Sequence, residues 1–299
     1  MKKSKNRLQN KSTAPKGPQA SFLKKTDGKK AVGRRSNSAP NAQITNRSEN
    51  YIPREWRVVV GNHAIKEALN LSFRMVKSLW LKNGWESSAD LREIEELARA
   101  KNVKVEPRQE SVIDKFGSSH QGAALLVDGS LKFNAKSLEA KDKSVVLILD
   151  GIEDPHNLGA IIRTSWLSNV HGVIIPSDRA VGLTPTVHKV ACGGVEHVPV
   201  QETSNFGQSA EELKKMGYWI FGLSPQGKRS IFELDLPSKV VWAIGAEDKG
   251  LRIGTERLCD ELAFIPQSSS SASYNASVAT AMALTETMRQ HALRGNEKK

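Results

Sequence analysis

The stretch VVLILDGIEDPHNLGAIIRT, residues 145–164, joins an apolar run to a polar loop and then to a second apolar pattern. Five consecutive aliphatic residues before Asp150 indicate a buried strand. Pro155 cannot continue a central strand, and Asn157 is expected to act as the N-cap of a helix over residues 158–167. Arg163 lies near the start of that helix. Taken alone, the pattern also fits a plain cap and an arginine whose stem covers apolar surface.

Short apolar runs alternate with helical patterns from residue 144 onward, which predicts an α/β fold with a mostly parallel sheet and helices on both faces. The runs are residues 145–150, 172–176, 219–223, 240–245 and 261–266. In such sheets, ligands bind beyond the carboxyl ends of the strands. The loops after these runs are therefore where functional residues are expected.

Two further loops carry polar residues after apolar runs. The loop GAEDKGLR, residues 245–252, has glycines that permit close backbone approach and a carboxylate at Glu247. The loop that starts at residue 267 reads QSSSSASYNASVA, and Ser273 or Asn275 is expected to cap the helix after it. Each loop alone also fits an ordinary turn or a flexible serine-rich segment.

Several classes of site are disfavoured by motifs that the chain lacks. No GxGxxG follows a strand and no Walker motif occurs, so dinucleotide-binding Rossmann folds and P-loop NTPases are disfavoured. The seven histidines show no HExxH pattern and the two cysteines show no CxxC pattern, so we expect no metal site. Two cysteines are too few for a disulfide framework, which indicates a reducing compartment, and we expect a cytoplasmic protein.

The region before residue 131 predicts a second, smaller α/β domain. Alternating strand and helix patterns occupy residues 56–127, and a polar segment follows them. We therefore predict a small domain over residues 53–130, a linker over 131–143 and a larger domain over 144–295.

The chain begins with a strongly basic tail, predicted to be disordered over residues 1–52. Thirteen of the 44 Lys and Arg residues lie in residues 1–50, which contain only Asp27 and Glu49 as acids. A flexible cationic arm is suited to contacts with nucleic-acid phosphates. A solubilising tail is one alternative; a transit peptide is another, although the many lysines and the lack of an amphipathic stripe disfavour it.

Together, the three loops resemble the three motifs of the SpoU (TrmH-like) branch of the SPOUT RNA methyltransferases. The segments HNLGAIIRT, GAEDKG and IPQSSSSASYNASVA carry the resemblance. The segments GNHAIKEAL and SSHQGAALL resemble the start and end of the L30-like RNA-binding domain that often precedes the catalytic domain. The resemblance implies a trefoil knot in the C-terminal part of the sheet and a homodimer. It also implies S-adenosylmethionine-dependent methylation of a ribose 2′-hydroxyl in rRNA or tRNA, with no membrane partner.

The resemblance also implies which residues form the site. The cofactor would be held by backbone groups at Gly245, Ile265 and Tyr274. The polar positions around the reacting centre would be Asn157, Arg163, Glu247, Ser273 and Asn275. Because a guanidinium stays protonated, we expect Arg163 to clamp an RNA phosphate or to stabilise the developing alkoxide. Glu247 would orient Asn157 or Arg163, while Ser273 and Asn275 would hold the ribose.

The third motif departs from the family pattern at Gln267, Ser269 and Tyr274, where the family usually has methionine, glycine and leucine. This difference leaves open a non-catalytic RNA-binding protein of the same fold, for example a ribosome-assembly factor. A methyltransferase of the same clan that acts on a base is the other alternative.

Overall fold

The computed structural model describes residues 51–117, 119–269 and 272–296. The predicted tail over residues 1–52 lies outside the described residues, apart from its last two. The smaller, N-terminal part of the fold contains seven elements: β1 Trp56–Val60, α1 Asn62–Leu71, β2 Val76–Lys82, α2 Ala89–Ala100, β3 Val105–Arg108, α3 Glu110–Ile113 and β4 Ala123–Asp128.

The larger part of the fold follows residue 143 and contains twelve elements. They are β5 Ser144–Asp150, α4 Pro155–Leu167, β6 Gly172–Pro176, α5 Pro185–Ala191, β7 Val200–Thr203, α6 Phe206–Lys215, β8 Trp219–Leu223, β9 Arg229–Ser230, β10 Lys239–Gly245, α7 Ile253–Glu256, β11 Glu261–Phe264 and α8 Ala276–Asn296. Among the described residues, no helix combines the length and the hydrophobicity that a membrane span requires.

The small domain is a four-stranded sheet with the strand order β1-β4-β2-β3. Strand β4 is antiparallel to both of its neighbours, whereas β2 and β3 are parallel. Helices α1 and α2 cover one face through the fully buried side chains of Ile65, Leu69, Leu91 and Ile94. The strands and helices expected over residues 56–127 are therefore confirmed.

The large domain is built on a seven-stranded sheet with the order β7-β6-β5-β10-β8-β11-β9, in which every strand pair is parallel. Side chains of β5, an interior strand of this sheet, alternate between the two faces. Leu147 and Leu149 pack with α4, α5 and α8, whereas Val146 and Ile148 pack with α6. The predicted parallel sheet with helices on both faces is confirmed. The trefoil knot stays a prediction.

Helix α4 begins earlier than the sequence predicted. Its N-cap is Asp154, whose carboxylate accepts a hydrogen bond from the backbone N–H of His156 at 2.9 Å. The prediction that Asn157 caps this helix is wrong, because Pro155 is well suited to the first helical position and the acidic residue before it provides the cap. Asn157 therefore lies inside the first turn, and its amide is available for another contact.

A buried ion pair joins the small domain to the large one. Arg57 on β1 contacts both carboxylate oxygens of Glu196, and its Nη2 donates to Oε2 at 2.9 Å. The Ser72 hydroxyl donates to the same Oε2 at 2.6 Å. Burial raises the pKa of Glu196, but Arg57 and Ser72 outweigh it and hold this pKa below its usual value. The carboxylate therefore stays charged at neutral pH and keeps the two domains together.

His188 on α5 lies next to this ion pair and is completely buried, with 1% of its surface exposed. Burial lowers the pKa of His188 from its usual value to about 3, and the charge on Arg57 acts in the same direction. An unfolded chain takes up this proton near pH 6.5. Folding stability is therefore lost progressively as the pH falls from about 6.5 towards about 3.

We expect His188→Leu to make the pH dependence of the unfolding free energy shallower, by up to about 1.4 kcal/mol per pH unit below the unfolded pKa. Chemical denaturation at pH 7 and pH 5 measures this difference. The matched control is His63→Leu, at an exposed position on α1, which should keep the wild-type slope. Equal slopes for His188→Leu and the wild type would show that His188 is not buried in the neutral form.

Candidate functional site

The loops after β5 and β10 leave the same edge of the sheet side by side. These strands are parallel neighbours, and Asp150 at the end of β5 pairs in register with Gly245 at the end of β10. The loop after β11 leaves the sheet at the same edge, two strands further along. The parallel topology thus brings together the three loops that the sequence singled out.

One carboxylate oxygen connects the three loops. Glu247 Oε1 accepts hydrogen bonds from Asn157 Nδ2 at 2.7 Å and from the backbone N–H of Ala276 at 3.3 Å. Asn275 Nδ2 donates to the same oxygen and also to Asn157 Oδ1, at 2.9 Å. Within the described residues, Glu247 Oε2 accepts no hydrogen bond. It is therefore the acceptor that remains for a hydroxyl donor.

Asn275 holds this network at the start of α8. Its Oδ1 accepts a hydrogen bond from the backbone N–H of Ser277 at 2.9 Å, and its carbonyl accepts from Ala279 at 2.9 Å. These bonds confirm the prediction that Asn275 caps the helix. Ser273, the alternative cap, is exposed and takes no part in the network.

The loop after β10 folds back on itself and presents Glu247 at its tip. A β-bridge joins Ala246 to Gly250. A Cβ atom at Gly245 would lie 2.0 Å from the carbonyl carbon of Gly250, a distance that no side chain tolerates. A glycine is therefore required at this position, because any side chain would force the two arms of the loop apart.

A second contact ties this loop to the end of β5. Asp150, with 1% of its surface exposed, accepts a hydrogen bond from the backbone N–H of Arg252 at 2.9 Å. The Arg252 Nε atom lies 2.7 Å from the other carboxylate oxygen. This pair was not predicted from the sequence, although an acid at a strand end and an arginine after a glycine-rich loop were visible signals.

The loop after β11 carries the other two positions expected to hold a cofactor. Ile265 is half-buried and packs against the core of the large domain. The Tyr274 hydroxyl donates to the carbonyl of Pro266 at 3.3 Å. This hydrogen bond joins the residue before the loop that starts at Gln267 to a residue near the end of that loop. Within the described residues, the backbone N–H groups of Gln267 and Tyr274 donate no hydrogen bond. This loop therefore offers unpaired donors and an aromatic ring to a bound ligand.

Arg163 lies apart from the three-loop network. It is exposed on α4 and makes no hydrogen bond or ion pair with the described residues. Leu167, one turn further along, is 69% exposed on the same side of the helix. In the single chain, the network therefore unites Asn157, Glu247 and Asn275, but not Arg163 or Ser273.

Comparison with known proteins assigns the family. Residues 144–285 match the SpoU rRNA Methylase family, and residues 58–131 match the RNA 2'-O ribose methyltransferase substrate binding family. The chain belongs to the SpoU rRNA methylase family. The expected family is thus confirmed, although the domain boundaries at residues 53–130, 131–143 and 144–295 stay predictions.

Two bacterial relatives in the SpoU family are similar over nearly their whole length. The 23S rRNA (guanosine-2'-O-)-methyltransferase RlmB of Pseudomonas aeruginosa is 36% identical over 242 residues, which are 79% of this chain and 97% of the relative. The RlmB of Neisseria meningitidis is 38% identical over 250 residues, which are 81% of this chain and 98% of the relative.

A solved SpoU structure supports the fold. The SpoU methyltransferase AviRb from Streptomyces viridochromogenes, in complex with AdoMet, superposes with a TM-score of 0.70 at 21% identity. The match covers 80% of this chain and 91% of AviRb. The α/β architecture is therefore that of a SpoU protein.

We expect Gly245→Ala to abolish ligand binding by the SpoU-type loops while the fold is retained, because the added methyl group clashes with the backbone at Gly250. The rise in melting temperature caused by S-adenosylhomocysteine measures this effect. The matched control is Gly254→Ala, where an added Cβ meets nothing within 4 Å. A wild-type rise for Gly245→Ala would show that the loop geometry does not determine binding.

Proposed function

We propose that the protein is an S-adenosylmethionine-dependent RNA methyltransferase that methylates the ribose 2′-hydroxyl of a guanosine in 23S rRNA. The family assignment and the names of the two RlmB relatives support this activity. The observation that carries the proposal is the convergence of Asn157, Glu247 and Asn275 at the edge where the family motifs meet. An rRNA substrate favours a cytoplasmic location and makes tRNA the less favoured substrate.

The residues of the two later loops fit the cofactor. Backbone groups at Gly245, Ile265 and Tyr274 would hold S-adenosylmethionine, which supplies a methyl group on a positively charged sulfur. The N–H groups of Gln267 and Tyr274, which donate to no other described residue, can donate to its polar atoms, and the Tyr274 ring, 38% exposed, offers apolar surface. The replacement of the family's usual residues at Gln267, Ser269 and Tyr274 therefore does not remove the donors that the site needs.

The three-loop network provides the acceptor side of the reaction. A 2′-hydroxyl must lose its proton as its oxygen attacks the methyl group, so it needs an oriented hydrogen-bond acceptor. Glu247 Oε2 is available for this hydrogen bond, because Oε1 is occupied by Asn157 and Asn275. Fixing the hydroxyl in this way supplies much of the acceleration of an in-line displacement. Ser273, exposed beside Asn275, would contact the ribose.

Arg163 would act on the RNA backbone rather than as a base. A guanidinium is always protonated, and its planar donors match a phosphate. Its exposed position on α4 leaves these donors available to a phosphate next to the target ribose. The same donors can stabilise the negative charge that develops on the attacking oxygen.

We also propose that the protein acts as a homodimer through α4 and α8. Leu167 on α4 is 69% exposed and Met288 on α8 is 48% exposed. Both line one groove of about 320 Å³ between these helices. Arg163 lies on the Leu167 side of α4, so a second copy on this surface would bring the arginine close to a subunit interface. This arrangement accounts for an arginine that makes no hydrogen bond with the network in one chain.

The two alternatives are less well supported. A non-catalytic RNA-binding protein would have no need for a carboxylate that connects three loops through a single oxygen. A base methyltransferase would not require the ribose-directed residues Asn157, Glu247 and Asn275. A methylation assay followed by alkaline hydrolysis of the RNA distinguishes both alternatives from the proposed function.

We expect the purified protein to methylate a 23S rRNA transcript with labelled S-adenosylmethionine, and the label to appear in a dinucleotide that survives alkaline hydrolysis. Glu247→Gln should lower kcat by roughly 100-fold or more, since the hydroxyl loses its charged acceptor. Glu211→Gln, at an exposed position on α6, is the matched control. Label in the mononucleotides released by alkaline hydrolysis would instead show base methylation. The absence of label in any RNA would support the non-catalytic alternative.

We expect Leu167→Glu to convert the dimer to a monomer and to lower methylation strongly, because it replaces an exposed apolar side chain of the proposed interface with a charge that dimerisation would bury. Sedimentation velocity measures the first effect and the methylation assay the second. Leu71→Glu alters a side chain that is 52% exposed on the small domain and serves as the control. A fully dimeric Leu167→Glu variant would contradict the proposed interface.

A further inference from the structure

A second cleft opens at the same edge of the sheet and takes no part in the chemistry described above. It lies beyond the ends of β5, β6 and β7 and has a volume of about 390 Å³. Its lining includes Asp178, Thr203, Phe206, Arg252 and the buried Asp150. This volume is sufficient for one nucleoside. An aromatic ring, a carboxylate and a guanidinium in one cleft are typical of a site for a polar aromatic ligand.

Charged groups of opposite sign line this cleft. Asp178 is exposed, and its carboxylate accepts only a hydrogen bond from the Ser177 hydroxyl, at 3.0 Å, among the described residues. Arg252 uses its Nε to hold Asp150, which leaves the donors of its two terminal nitrogens for a ligand. The cleft therefore offers two carboxylate oxygens of Asp178 as hydrogen-bond acceptors and two terminal nitrogens of Arg252 as donors.

The backbone beside Asp178 is strained and well anchored. Arg179 adopts a left-handed conformation with φ of 56°, which costs free energy for a residue with a side chain. Two residues later, the backbone N–H of Val181 donates to the carbonyl of Ile152 at 2.9 Å. This bond ties the loop that carries Asp178 to the loop after β5. The acid thus has a fixed position relative to the catalytic loops.

We propose that this cleft receives the base of the target nucleotide and selects guanine, an inference that rests on the proposed function. Guanine presents two N–H donors, at N1 and N2, to one carboxylate, and two acceptors, O6 and N7, to one guanidinium. Asp178 accepts from N1 and N2, and Arg252 donates to O6 and N7. The ring of Phe206 provides the apolar wall against which a base that has left its stack can lie.

The position of the cleft fits the reacting centre. Arg252 ends the loop that carries Glu247, and Asp150 pairs with Gly245 in the sheet. On this proposal, the ribose of a base in the cleft would extend towards the Glu247 network. The Asp150–Arg252 pair connects the two sites, because Arg252 follows Glu247 in the same loop.

Other ligands match this pair of charges less well. Adenine would place the N1 acceptor against the Asp178 carboxylate, and a phosphate would place negative charge there. Pyrimidines lack the N7 acceptor that the second donor of Arg252 would bind. The exposed carboxylate thus provides selection against the wrong base as well as attraction for the right one.

The test combines a change in the base with a change in the protein. The substrates are two synthetic rRNA fragments that carry guanosine or inosine at the methylated position identified with the 23S transcript. Inosine lacks only the N2 amino group. We expect the wild type to show a kcat/KM about 10-fold to 100-fold lower for inosine. Asp178→Ala should lower kcat/KM for guanosine by a similar factor and reduce the guanosine-to-inosine ratio to below about 3.

The control variant is Asp142→Ala, an exposed acid in the linker, which should keep the wild-type ratio. Affinity for S-adenosylhomocysteine should be unchanged in Asp178→Ala, which separates this site from the cofactor site. A wild-type ratio in Asp178→Ala, or no discrimination by the wild type, would overturn the proposal. Higher activity of Asp178→Ala on both fragments would instead indicate a phosphate in the cleft. Failure of the proposed function itself would appear earlier, as a lack of 2′-O-methylation of the 23S transcript.

Discussion

The hydrogen bonds to Glu247 Oε1 are the interaction on which the site depends. Three donors from two other loops converge on this oxygen, so the loops after β5, β10 and β11 are fixed relative to one another. Other residues at this edge of the sheet hold Glu247 in position. Gly245 lets the loop fold back, and the buried Asp150 anchors the far end of that loop through Arg252. A parallel sheet is what allows the arrangement, since it brings the carboxyl ends of separate strands to one edge.

The buried pair of Arg57 and Glu196 has a different role from the surface ion pairs. Removing two charges from water is costly, so a buried pair adds little net stability even when its geometry is good. Both partners are nevertheless well satisfied, with Ser72 as an additional donor. The pair therefore contributes chiefly to orientation: it fixes the domain that matches the RNA-binding family against the catalytic domain. In this way an RNA held by the small domain can reach the three loops in a defined position.

Local patterns in the sequence predicted most of the fold, because buried strands and amphipathic helices have visible periodicities. Strands β7 and β9 were not identified from periodicity, since they are short and partly exposed. The cap of α4 was assigned to Asn157 instead of Asp154, an error of three residues that concealed the contact with Glu247. The Asp150–Arg252 and Arg57–Glu196 pairs join residues more than 100 positions apart, and no local pattern reports such contacts. The residues of the three motifs were identified by resemblance, and only the structure showed that Arg163 and Ser273 lie outside the network.

Calorimetric titration of the wild-type protein with S-adenosylhomocysteine tests most directly whether the three loops form one cofactor site. We expect saturable binding of one molecule per chain, with an affinity on the order of micromolar and a negative heat-capacity change from buried apolar surface. If a folded protein gave no heat of binding, the loops that Glu247 connects would not form a cofactor site.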